Sequence, residues 1–247
     1  MFAPTTTLII AGTFLLAGTV KGLIGLGLPT VSLGLLSAVF DLPTAMALLI
    51  VPSLATNLFQ ALAGGNLRAL IRRLWPFLAM AFITIWIGAQ ALTRVDLDLL
   101  SGLLGIVLVA YAVVSLAGFT LSIPSSREAW SGPLLGAVNG VLTGMTGSFV
   151  VPGVMFLQAI GLPRNMLVQA MGMLFLVSTL GLALALRSAH LMPDSLAIAS
   201  LLAFFPALVG MVAGQAIGHR LSEARFRRVF FLAILVLGVY ICINAIA

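Results

Sequence analysis

Ten apolar runs follow one another almost without interruption, at roughly 5–20, 22–40, 43–64, 74–92, 98–120, 131–146, 148–161, 165–187, 194–217 and 227–246. A helix that crosses a bilayer needs about 20 apolar residues, and eight of these runs approach that length. Pro, Gly or charged residues mark the boundaries. Only 7% of the chain is charged and 62% is hydrophobic, whereas a soluble domain carries about a quarter charged residues. Such a chain cannot cover a surface exposed to water. The expected class is an all-α polytopic membrane protein. The excess of bases over acids, 12 against 6, does not indicate nucleic acid, because the arginines fall in short loops between apolar runs, where membrane topology is encoded. One cysteine, Cys242, excludes an internal disulfide and any CxxC metal or redox motif. No metal and no cofactor is expected. The opening "MFAPTTTLIIAG" has no basic residue ahead of its apolar run, so it reads as part of the mature protein rather than a cleaved signal.

Two pairs of runs, 5–20/22–40 and 131–146/148–161, contain short, glycine-rich members. Each pair reads as two crossings, a re-entrant hairpin or one broken helix. The distribution of arginine chooses among these. If each pair crosses twice or returns to its starting side, one face receives Arg68, Arg72, Arg73, Arg127, Arg164, Arg220, Arg225, Arg227 and Arg228, and the other only Arg94 and Arg187. If each pair crosses once, the split is five against six and carries no orientation signal. The first arrangement predicts eight full spans plus broken or re-entrant helices, or ten spans. Both termini then lie outside the cytoplasm and the arginine-rich loops inside.

The chain also repeats itself. "GTVKGLIGLGLPTV" from Gly18 resembles "GAVNGVLTGMTGSFVVPGV" from Gly136, matching Gly18 with Gly136, Lys21 with Asn139 and Gly22 with Gly140. Leu42-Pro43 and Leu162-Pro163 open the next run in each half, and "GAQAL" at Gly88 resembles "AGQAI" at Ala213. The expected organisation is a first membrane repeat over 1–120, a connecting loop over 121–130 and a second repeat over 131–247. Each repeat holds about five membrane segments. An odd number makes the second repeat inverted, an arrangement in which secondary transporters hold substrate at the repeat interface on broken helices.

The glycine segments supply the candidate site. In "GLIGLGLP", Gly22, Gly25, Gly27 and Pro29 make an uninterrupted helix unfavourable. A broken backbone directs free N–H groups and the positive end of a half-helix at whatever lies before it. The second half offers Gly140, Gly144 and Gly147, with hydroxyl donors on Thr143, Thr146 and Ser148. Two such breaks converging near the midplane would make a pocket rich in donors and poor in acids, suited to a small oxyanion. Lys21 either faces that anion or a water-filled vestibule, or lies at the end of its segment and snorkels to the headgroups. Asn139 is its neutral counterpart. Asn57 and Gln60, three apart, share a helix face, and Asn57 falls near the middle of its run. Gln90, Gln158, Gln169 and Gln215 read as interhelical hydrogen-bonding residues.

No P-loop, HExxH or GxSG is present, and the acids and both histidines, His190 and His219, fall near segment ends. No catalytic residue is expected, and neither ATP hydrolysis nor a buried proton relay finds support. An enzyme is excluded on the same residues.

The motifs "GxxxGLIGLGLP" and "GxxxGVLTGMTGSFVVP" and the duplicated hydrophobic pattern resemble the TauE/SafE sulfite exporter family, also called the 4-toluene sulfonate uptake permease family, over nearly the whole chain. The resemblance implies a transporter of sulfite, sulfonates, sulfoacetate or related sulfur-containing anions in a bacterial inner membrane. It also implies that Gly22–Pro29 and Gly140–Pro152 line the anion path. Ser148 stands where the family pattern leads one to expect a further glycine. The partners implied are the anion and membrane lipid, with a homo-oligomer compatible. The expectation is an exporter working by alternating access; an anion channel on the same scaffold, or a permease for another small organic anion, are the alternatives.

Overall fold

The structure, a computed structural model, describes residues 3–118, 122–218 and 222–246. His219, Arg220 and the boundary expected at 120/121 lie outside the described residues. Among these, the chain is helical and without strands: α1 (Pro4–Ile24), α2 (Leu28–Ser37), α3 (Leu42–Leu62), α4 (Leu67–Ile83), α5 (Ile85–Ala89), α6 (Leu97–Ala117), α7 (Ser125–Thr146), α8 (Gly153–Ala159), α9 (Arg164–Ser188), α10 (Asp194–Gly218) and α11 (Glu223–Asn244). A 3₁₀ turn, Gln90–Thr93, continues α5.

Seven helical stretches are long and apolar enough to cross a membrane: α1, α3, the α4–α5 stretch through Thr93, α6, α9, α10 and α11. The chain is therefore a multi-pass membrane protein. α7 has the length, at 22 residues, but Arg127, Glu128 and its glycines make it more polar. α2 and α8, of 10 and 7 residues, are too short to span. Each glycine-rich pair is thus a long helix followed by a short one. α7 begins at Ser125, so more than half of the expected 121–130 connector is helix. The apolar run starts only at 131, but a charged first turn extends the helix beyond it, held by Arg73 donating to Glu128 at 2.6 and 2.9 Å.

Helices pair in a definite pattern. α1 lies along α10, α7 along α4 and α5, α3 against α9, and α6 against α11. Lipid gives no hydrophobic drive for helices to associate, so close backbone approach matters. A Cβ on Gly18 or Gly22 would overlap the carbonyl oxygens of Ala207 or Met211 on α10. One on Gly136, Gly140 or Gly144 would overlap those of Phe77, Ala81 or Ile85. The outer face of α10 exposes Leu201, Leu202, Phe205 and Val209, as a face turned to hydrocarbon does.

α3 lies at the centre. Asp41 caps it, accepting from the Thr44 N–H and hydroxyl, each at 2.9 Å. Pro52 lacks the N–H that would reach the Leu48 carbonyl. Ser200 of α10 takes its place, donating to Leu48 O at 2.8 Å and accepting from the Val51 N–H at 3.0 Å. One turn on, the Thr56 hydroxyl donates to Pro52 O at 2.7 Å.

Candidate functional site

α1 ends where the backbone turns left-handed. Gly25 has φ 74° and its N–H bonds Lys21 O at 2.8 Å; Gly27, which starts α2, has φ 105°. Glycine takes both values without the steric penalty of a Cβ. Pro29 fits the first turn of α2, where a missing N–H breaks no bond. The break therefore falls at 25–27, one turn beyond Lys21.

Lys21 does not snorkel to the surface. It is 4% exposed, and its Nζ donates to Asn57 Oδ1 and, at 3.1 Å, to Thr56 Oγ1. No carboxylate among the described residues pairs with it. Beside it opens a cavity of ≈ 680 Å³, lined by Lys21, Gly22 and Gly25, by Phe59, Gln60, Ala63 and Gly64 at the end of α3, by Arg164, Asn165, Val168 and Gln169 on α9, and by Gln215 on α10. Among the described residues the lining holds two cations, four amides and no carboxylate. Side-chain amides fasten its wall together. Gln60 Nε2 donates to Gly25 O at 3.0 Å and Val168 O at 2.8 Å. Gln169 Nε2 donates to Ala61 O at 2.7 Å, and its Oε1 accepts from the Asn66 N–H at 3.0 Å.

The second break is built differently. α7 ends at Gly147 (φ 73°), whose N–H bonds Thr143 O at 2.7 Å. The backbone then runs irregularly, with a cis Val151–Pro152 bond, to α8. The hydroxyls of Thr143 and Thr146 are already taken. The Thr143 hydroxyl donates to Ser148 O at 2.9 Å, and the Thr146 hydroxyl to Leu142 O at 2.7 Å while accepting from the Ser148 N–H at 3.2 Å. Asn139 Oδ1 accepts from Gly153 N–H at 2.9 Å, satisfying the first donor of α8. Gly147 packs against Met46 and Leu33. Met46 and Thr56 are ten residues apart on α3, which at 1.5 Å per residue sets the two breaks roughly 15 Å apart along that helix.

The sequence candidates thus divide. Lys21, Gly22 and Gly25 line the cavity, and Asn57 holds Lys21 from behind. Gly27 and Pro29 open α2; a Cβ on Gly27 would crowd Val20 and Phe230. Gly140 and Gly144 make room for α4 and α5. Asn139, Thr143, Thr146, Gly147 and Ser148 form the second break, and none of them lines this cavity. Sequence reasoning gives no site role to Thr56, Arg164 or Asn165, and reads Gln60, Gln169 and Gln215 as interhelical hydrogen-bonding residues. Arg164 was counted only for topology; the usable signal was that Arg164-Asn165 follows directly on Leu162-Pro163.

Several buried polar atoms have no partner among the described residues: Ser53 Oγ, Asn57 Nδ2 and Gln60 Oε1 on α3, Ser178 Oγ on α9, and Asn139 Nδ2 and Ser148 Oγ at the second break. Native interiors satisfy most such groups, so a set of six on the central helices and the second break is a feature that packing alone does not require.

A sequence model of the family described as Sulfite exporter TauE/SafE matches residues 10–241. No curated protein matches the chain, and no solved structure does.

Proposed function

Because the chain belongs to the TauE/SafE sulfite exporter family, a family of membrane transporters for sulfur-containing anions, we propose that it exports sulfite or a small sulfonate across a bacterial inner membrane by alternating access. One observation carries this reading: a lysine enclosed within the apolar helices, without a carboxylate partner among the described residues, opens onto a cavity whose described lining contains a second cation and no acid. An oxyanion docked there supplies the missing negative charge. Its oxygens accept from Lys21 and from the amides of Asn165 and Gln215, since both N–H donors of Gln60 are spent on backbone carbonyls. The other candidates, at the second break, belong in this reading to the opposite gate.

Two breaks at different depths on α3 suit a transporter with one open and one closed mouth. The first break borders the cavity, on the side where Gly64, Arg164 and Asn165 lie, which the arginine count assigns to the cytoplasm. The second is held shut by its own hydrogen bonds. The helix pairing supports an inverted repeat: exchanging the halves carries the α1–α10 pair into the pairing of α7 with α4 and α5. α3–α9 and α6–α11 become pairs across the axis. Individual contacts follow, since Gly18 meets Ala207 as Gly136 meets Phe77, and Gly22 meets Met211 as Gly140 meets Ala81. The unpartnered donors on α3, α9 and the second break would hydrogen-bond the anion as it passes between the gates.

Transport needs no coupled ion. With a negative interior, moving one negative charge outward gains about 2.3 kcal/mol per 100 mV. Asp41 and Asp96 are spent as helix caps and Glu128 on Arg73, which leaves them poor proton carriers. The test is counterflow in proteoliposomes. Sulfite loaded inside should drive uptake of labelled sulfite, and Lys21→Met should abolish it. Flux without counterflow would make the protein a channel, and no sulfite-dependent flux at all would refute the proposal.

A further inference from the structure

We infer that a crevice between the N-terminal halves of α1 and α10 binds one phospholipid, with its phosphate at Arg187 and an acyl chain lodged between the two helices. The site is separate from the cavity beside Lys21 and does not depend on what that cavity carries.

The two helices run parallel and meet closely where Gly18 faces Ala207 and Gly22 faces Met211. Toward their N-termini they part around a cavity of ≈ 700 Å³, walled by Ile10 and Ala11 on one side and by Ile198, Ala199, Leu202 and Ala203 on the other. The pairing of α4 with α7 shows how the chain closes such a gap. Gly136 meets Phe77 as Gly18 meets Ala207. Eight residues before these two glycines stand Glu128 and Ile10, and four before their partners stand Arg73 and Ala203. Arg73 and Glu128 staple α4 to α7 through two bonds, at 2.6 and 2.9 Å. Ile10 and Ala203 can form no such staple, and the corresponding place stays open.

Polarity and charge identify the occupant. Ile198 and Leu202 are 59% and 61% exposed, so the crevice opens sideways toward hydrocarbon. Water finds no partners along its apolar walls, and an empty crevice forfeits dispersion contacts, so hydrocarbon fills it. At the end nearest the helix starts the lining changes: Thr7 and Ser195 bring hydroxyls, placed to meet the ester groups of a lipid whose chain lies deeper. Asp194, next to Ser195, stands 3.6 Å from Arg187, with both side chains largely exposed. Arg187 is one of only two arginines that the topology count gives this face, so a rare cation marks the mouth of the crevice. An exposed ion pair at that distance is weak, and a lipid phosphate can take the carboxylate's place on the planar guanidinium. An apolar helix from another protein would answer the walls but not the cation.

The test is native mass spectrometry of the delipidated full-length protein titrated with palmitoyl-oleoyl phosphatidylglycerol. The first lipid should bind about tenfold more tightly than those that follow, the effect of one charge-assisted hydrogen bond. Ala199→Phe and Ala11→Phe each set a ring into the crevice, from opposite walls, and should remove that advantage. Val236→Phe, on the exposed face of α11, should keep it. Arg187→Gln alters nothing in the apolar walls and should weaken the first lipid about tenfold, which decides the matter even if both ring variants misfold. Equal affinity for every lipid in the wild-type protein would overturn the inference. So would a tight first lipid that survives the ring substitutions, or one that is indifferent to Arg187→Gln. A copurifying protein, or a second copy of the chain, that occupies the crevice in place of lipid would overturn it as well.

Discussion

Replacing Lys21 with methionine should separate function from stability. On insertion scales a lysine within a membrane helix costs about 2.5–3.5 kcal/mol. The fold returns part of this through the bonds to Thr56 and Asn57. Side-chain hydrogen bonds inside membrane proteins average about 0.6 kcal/mol, so two recover roughly 1.2. The anion-free protein therefore carries an uncompensated cost of roughly 1–2 kcal/mol. Methionine fills much the same volume without charge, and Lys21→Met should leave the anion-free protein as stable or more stable, by up to a few degrees in Tm. At about 2–4 °C per kcal/mol for a chain of this size, the effect is measurable. The bound state should respond in the opposite sense. An anion at a hundred times its Kd stabilises by about 2.7 kcal/mol, or roughly 5–10 °C. The wild-type protein should show that shift with sulfite at constant ionic strength, and Lys21→Met should lose it. Thermal unfolding followed by intrinsic fluorescence suits a chain with three tryptophans. A variant that keeps the sulfite shift would refute the assignment of Lys21 to the anion. One that loses many degrees without anion would make Lys21 a structural strut.

Three other substitutions probe the frame around the cavity. Ser200→Ala leaves Leu48 O and Val51 N–H at the Pro52 interruption without their partner, and should cost about 1–3 kcal/mol, read as a Tm several degrees lower. Gly22→Val sets side-chain carbon where the Met211 carbonyl of α10 lies; it should force α1 and α10 apart and sharply reduce the yield of monodisperse protein, whereas Gly12→Val, where a Cβ meets nothing within 4 Å, should not. In a Cys242→Ala background, Asn165→Cys should react with a membrane-impermeant maleimide from the arginine-rich face only, and sulfite should slow the reaction. Labelling from the opposite face would invert the orientation assigned to the cavity.

The spans were legible because their cause is legible. Hydrocarbon demands long apolar helices with satisfied backbones, and the apolar runs at 165–187 and 194–217 became α9 and α10 within one residue at either end. The breaks were legible too, since Gly27 and Gly147 adopt backbone values that glycine takes most readily. What escaped was the direction of side chains. Thr143 and Thr146 look like ligand donors in sequence but turn to nearby carbonyls, because a hydroxyl at the end of a helix finds backbone closer than ligand. Gln60 and Gln169 look like interhelical bonds and make them, yet they do so in the cavity wall. The register of the proposed repeat is also hidden in the sequence. "GAQAL" and "AGQAI" match as letters, but the contacts that pair Ala81 with Met211 place those strings five residues out of step. Helix crossings are set by where small residues let backbones meet, and that need not coincide with the best local identity.

The exchange of Lys21 for Asn139 between the halves makes the two gates chemically unequal. Asn139 places its amide oxygen on the Gly153 N–H and thereby closes its own half without a ligand. An ammonium at that place could not accept that bond. Conversely, an asparagine at position 21 would give the cavity no charge to hold an anion. In the proposed transporter the repeat thus divides its work: one half binds, the other seals. The asymmetry cannot set the direction of transport, because an uncoupled carrier obeys the gradient and the membrane potential whatever its affinities are. It determines instead which side saturates first. In the proposed transporter Lys21, reached from the side of the arginine-rich loops, captures dilute anion there. The neutral opposite gate adds no charge of its own to delay release, so the potential can expel the anion without first overcoming a second electrostatic trap.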